Sequence, residues 1–60
     1  MKYYIRHIKS GKYLKKEVNG YIMFGTKSSD PAICNGKAVH KLLLFLRKDC
    51  KIPVTFEAIK

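Results

Sequence analysis

The sequence predicts an α+β fold: a three-stranded antiparallel meander, one main helix and a C-terminal strand (β-β-β-α-β) in a single small domain spanning residues 1–60. Three observations carry this. Two clusters of β-branched and aromatic residues flank an Asn-Gly dipeptide, a long run with helical periodicity begins after residue 35, and a strand-type segment follows Pro53. A chain of 60 residues supports one core and buries only about 60% of the surface of its unfolded form, so its margin of stability is small. At 47% hydrophobic and 12% aromatic it is nevertheless too rich in core formers to be a disordered basic tail.

Taken in order, Tyr3-Tyr4-Ile5-Arg6-His7-Ile8 reads as a first strand because such residues fit a pleated surface. Ser10-Gly11 ends it. Residues 12–18 form a second strand that runs into Asn19-Gly20, a strong hairpin signal because a type I′ turn needs positive φ at both central positions. Tyr21-Ile22-Met23-Phe24 follows as the third strand. Residues 25–36 are rich in Gly, Ser, Asp, Pro and Asn and form a connector, within which Asp30-Pro31 has the form of an N-cap and first helical position, predicting one short helical turn through Cys34. Asn35 is a second N-cap, and the main helix is expected over residues 36–48 with Ala38, Val39, Leu42, Leu43, Phe45 and Leu46 as its apolar set. Leu44 falls on the polar side, and Asp49 opposes the helix dipole, so the helix ends there. Pro53 then suits the start of an edge strand over residues 54–59.

If both turns have two residues, Ile8 opposes Tyr13, Ile5 opposes Lys16, Lys16 opposes Met23 and Leu14 opposes Gly25. One face then carries Tyr3, Ile5, Leu14, Val18, Tyr21 and Met23, and the helix covers it because its only cation is Lys16, near an edge. The other face carries Tyr4, Arg6, Ile8, Tyr13, Lys15, Glu17, Ile22 and Phe24, basic and aromatic together. A one-residue slip would move a whole strand to the opposite face.

Charge points to the partner. Thirteen Lys and Arg stand against four Asp and Glu, formally +9, and in residues 1–27 seven cations face only Glu17. An anionic partner, nucleic acid first, is expected, with Arg6, Lys9, Lys12, Tyr13, Lys15 and Lys16 as the binding residues. Ammonium groups neutralise phosphates while rings stack on bases. Tyr4, Tyr13 and Phe24 either serve that purpose or close a second small core that the lysines solvate. Eleven of the cations are lysine and two are arginine, so binding should be dominated by the backbone, since lysine lacks the bidentate fork that reads guanine.

Other chemistries are poorly supplied. His7, Cys34, His40 and Cys50 are spaced by 27, 6 and 10 positions, which matches no paired-ligand pattern for zinc, and no metal or cofactor is expected. There is no Ser-His-Asp set, Gly-rich phosphate loop or acidic cluster, and the chain is not expected to be an enzyme. Two cysteines fit a reducing compartment and free thiols. The N-terminal segment lacks the apolar stretch of a signal peptide, and the longest apolar run, residues 42–46, is far short of the ~20 residues that span a bilayer. A cytoplasmic protein is expected, with no membrane partner.

A helix apolar on nearly all sides must be covered all round. Either the connector and final strand cover it, or a second chain does, in a homodimer or on another protein. The alternative reading is thus a protein-interaction module for an acidic partner, with Leu44, Tyr4 and Phe24 as contact candidates.

Three short strands followed by a helix, basic residues and rings on the sheet, and Tyr21-Ile22-Met23-Phe24-Gly25-Thr26 ending the third strand resemble the small DNA-binding domains of the AP2 and integrase arm-binding type over residues 3–46. That resemblance implies a sheet lying in the major groove, with Arg6, Lys15 and Tyr13 facing the bases. The arginine- and tryptophan-rich strands of those domains are absent here, and residues 54–59 have no counterpart in them. In size, lysine bias and element order the chain also resembles small phage and prophage accessory proteins, which implies a host protein as partner.

Overall fold

In a computed structural model, which describes residues 1–15, 22–28 and 30–59, the chain is an α+β domain with one helix against an antiparallel sheet. The elements are β1 (Lys2–His7), β2 (Tyr13–Leu14), β3 (Phe24–Gly25), β4 (Cys34–Asn35), α1 (Gly36–Leu44), a π-helical turn (Phe45–Asp49) and β5 (Val54–Ile59). β1 is the central strand. Along one edge it pairs with β5 over six residues, from Lys2 opposite Ile59 to His7 opposite Val54. The other edge is shared, β2 joining where Arg6 opposes Tyr13 and β4 where Lys2 opposes Asn35 and Tyr3 opposes Cys34. β3 continues the sheet beyond β2.

The first hairpin differs from expectation by two residues: Arg6, not Ile8, opposes Tyr13. The cause is a four-residue turn instead of two. The His7 N–H donates to the Lys12 carbonyl at 2.7 Å, the Gly11 N–H donates to the His7 carbonyl at 2.9 Å, and Gly11 takes φ +72°, a left-handed conformation that glycine adopts without steric cost. Because side chains alternate with period two, a shift of two leaves the faces unchanged. Tyr3, Ile5 and Leu14 accordingly lie under the helix, and Tyr4, Arg6 and Tyr13 on the open face. Ile8 leaves the pairing with β2 and is exposed.

In the second hairpin Leu14 opposes Phe24 rather than Gly25. This one-residue difference moves Phe24 off the open face, where the sequence reading put it as a contact candidate, and onto the core beside the His7 ring at 5.3 Å. Asn19-Gly20, Lys16, Glu17, Val18 and Tyr21 lie outside the described residues.

The connector contains no short helix at Asp30-Pro31. Asp30 sits at φ +59°, which is incompatible with the extended backbone of an N-cap, Pro31 bridges to Lys15, and Cys34 enters β4. The Asn35 cap forms as expected: its backbone is extended and its Oδ1 accepts the Ala38 N–H at 2.8 Å. The core comprises Ile5, Leu14, Cys34, Val39, Leu43, Leu46 and Val54. Phe45, expected in that set, is exposed: at about 100° per residue it lies roughly a third of a turn from Val39.

The helix ends by widening. The Cys50 N–H donates to the Phe45 carbonyl at 3.2 Å, Lys51 adopts φ +55°, and the Ile52 N–H returns to the Leu46 carbonyl at 2.8 Å, which satisfies terminal carbonyls much as a left-handed C-cap does. This reversal aims the chain into β5 and leaves Arg47, Lys48 and Lys51 exposed around the bend.

Candidate polyanion interface

The open face of the sheet is an internally bonded cluster. The Tyr13 hydroxyl donates to both Glu57 carboxylate oxygens at 3.1 Å, and Lys27 Nζ approaches Glu57 Oε2 at 3.3 Å. The same ammonium lies 5.4 Å from the Tyr4 ring centre and 5.6 Å from that of Tyr13, and the two rings meet edge-on at 5.4 Å. The Lys27 hydrogen bond and then that of Tyr13 hold the Glu57 carboxyl below its usual pKa, and the Glu57 carboxylate raises that of Lys27. Arg6 stands in the same face, half-buried, with its Nε enclosed and unbonded. Tyr13 therefore spends its hydroxyl on Glu57, and the cation nearest the rings is already neutralised.

A different basic surface forms at the end of the molecule where β1 leaves the sheet. The Ile8 N–H donates to the Pro53 carbonyl at 3.0 Å, and this contact brings the turn after β1 against the segment that follows the helix. Lys9 from the turn and Arg47, Lys48 and Lys51 from the helix end line one open groove, floored by Ile52 and Pro53. Lys12 belongs to the same turn, its N–H donating to Ser10 Oγ at 3.3 Å, while Ser10 Oγ also lies 2.8 Å from His7 Nδ1. Among the described residues none of these cations is ion-paired, the one salt bridge being Lys27–Glu57. Arg47 is oriented by its Nε, which donates to the Val54 carbonyl at 3.0 Å.

The residues expected from the sequence thus separate into two groups. Lys9 lines the basic groove and Lys12 closes the turn that carries it, whereas Arg6, Tyr13 and Tyr4 share the open face. Lys15 stands apart, on the rim of an apolar cleft of 180 Å³ lined by Leu14, Ile22, Ala32, Leu42 and Phe45, and Lys16 lies outside the described residues. Leu44 is exposed, as expected from its place among the polar positions. Arg47, Lys48 and Lys51 are not among the binding residues expected from the sequence; only the docking of Pro53 on Ile8, a contact between distant parts of the chain, makes them neighbours of Lys9.

Cys34 and Cys50 are free thiols, and burial pushes the Cys34 thiol up in pKa. Among the described residues no three His, Cys, Asp or Glu side chains gather as metal ligands would, and no helix is long and apolar enough to cross a membrane. Comparison with protein-family models, curated proteins and solved structures finds no match to this chain.

Proposed function

We propose that this chain is a small, non-enzymatic, basic accessory protein of the cytoplasm that binds nucleic acid mainly through backbone phosphates, using Lys9, Lys12, Arg47, Lys48 and Lys51. The observation that carries the reading is the convergence of cations from two distant segments on one open groove with no carboxylate partner among the described residues. Separated charges on a solvated surface repel one another and cost stability when brought together, which a polyanion relieves by releasing its own counterions. The Lys51 backbone supports the same reading: a lysine occupies a left-handed position that glycine would fill with less strain. Sequence discrimination is weak in this picture, because lysine supplies charge without a fixed fork.

The test is a set of charge-neutral variants titrated with two 20-base-pair duplexes of unrelated sequence. Changing Lys9, Lys48 and Lys51 to glutamine should weaken binding at 50 mM salt by at least about tenfold for both duplexes. Changing Lys2 and Lys37, exposed lysines outside the groove, should alter it by less than about twofold. Equal losses in the two sets would show that the charge acts diffusely and not through the groove.

A further inference from the structure

The outer edge of β5 is built to receive another strand. Register decides which backbone groups face outward. The Ile8–Pro53 hydrogen bond lies in line with the β1–β5 ladder, so the hydrogen-bonded pairs are Arg6 with Thr55, Tyr4 with Glu57 and Lys2 with Ile59. The N–H and C=O groups of Val54, Phe56 and Ala58 then point away from β1. The Val54 carbonyl is taken by Arg47 Nε, as that geometry requires, and no strand covers Phe56 or Ala58 among the described residues.

Exposed edges are ordinarily blunted by lysine, proline, a bulge or shortness. β5 has none of these within it: it is six residues long, its register is uninterrupted, Pro53 precedes it, and none of the eleven lysines falls in residues 52–59. A groove flanks the edge on each face. Under the helix Val39, His40 and Leu43 face Tyr3 and the half-exposed Phe56, and on the open face Tyr4 and Lys27 border Glu57, Ala58 and Ile59. An added strand would drop alternate side chains into these two grooves, with main-chain hydrogen bonds supplying the affinity.

We propose that the β5 edge binds an extended, acidic peptide segment of another protein by strand addition at Phe56 and Ala58. Charge selects this occupant. Arg47 stands at the Val54 end and His40 lines the helix-side groove, while on the open face Glu57, the carboxylate beside the edge among the described residues, has its charge met by Lys27 and Tyr13. A second copy would bring a further formal +9 to the same edge. This site meets the groove at Lys9 and Lys48 only at Arg47, which lines that groove and donates its Nε to the Val54 carbonyl; Phe56 and Ala58 do not line it.

The probe is a terminally blocked six-residue peptide of alternating glutamate and valine, with a lysine-valine peptide as control, and the readout is amide hydrogen exchange by NMR. In the free protein the Phe56 and Ala58 amides should exchange fast while those of Thr55, Glu57 and Ile59 are protected. The acidic peptide should slow Phe56 and Ala58 by at least about tenfold and the basic one should not. Ala58→Pro removes only an outward N–H and should abolish the response while leaving DNA affinity unchanged. If that variant loses Thr55 and Glu57 protection, the unaltered protein with a peptide N-methylated at alternate residues replaces it, and binding should again be lost. Equal protection by both peptides, protection of Phe56 that rises with protein concentration alone, or a response confined to Lys9, Lys48 and Lys51 would each overturn the proposal, the second by assigning the edge to another copy of the chain.

Discussion

Glu57 ties together two side chains from two other segments, Tyr13 and Lys27, and its carboxyl is held below its usual pKa of 4.5, first by Lys27 and then by Tyr13. A depressed folded-state value means stability that is present above the unfolded pKa and is lost as pH falls through the folded one. Melting temperature should therefore drop as pH is lowered below about 4.5, and Glu57→Gln should flatten that part of the acid limb while lowering stability at neutral pH. Lys51 gives the opposite kind of test. Relieving its left-handed backbone with Lys51→Gly should raise stability by about 1 kcal/mol, read by urea unfolding, yet weaken DNA binding. The thiols report on opening of the core: half-buried Cys50 should react with a disulfide reagent in the folded protein, and Cys34, buried and raised in pKa, only as the domain unfolds.

Secondary elements were legible wherever the local sequence alone sets the geometry. Asn35 caps α1 because its short amide reaches the Ala38 N–H, and Asn35→Ala should cost about 1 kcal/mol by denaturant titration. β5 falls on residues 54–59 because Pro53 and the β-branched run leave little alternative. Registers were less legible, since turn length depends on bonds such as that between His7 and Ser10, and an error of two residues preserved the faces while an error of one moved Phe24 to the core. Asp30-Pro31 misled because an N-cap motif is only a local preference, and the bridge from Pro31 to Lys15 fixes the connector differently. The basic groove was not legible at all. It depends on Ile8 meeting Pro53, a long-range contact that no local pattern announces.

For the molecule as a whole, small size and high charge act together. A domain of 60 residues holds on the order of 3–9 kcal/mol of stability. Leu46, among the most deeply buried side chains with Ile5 and Val54, packs the helix end onto the sheet, and Leu46→Ala should cost about 2–5 kcal/mol, enough to unfold much of the population at 37 °C. Cations gathered at one end, without ion pairs among the described residues, repel one another and reduce that margin, and the polyanion proposed as partner would offset this on binding. The slope of the logarithm of DNA affinity against the logarithm of salt concentration tests this most directly. Five phosphate contacts from Lys9, Lys12, Arg47, Lys48 and Lys51 predict a slope of about −4.5, the same for unrelated duplexes, falling to about −2.7 when Lys48 and Lys51 become glutamine. A slope near zero, or one that the two substitutions leave unchanged, would contradict the account.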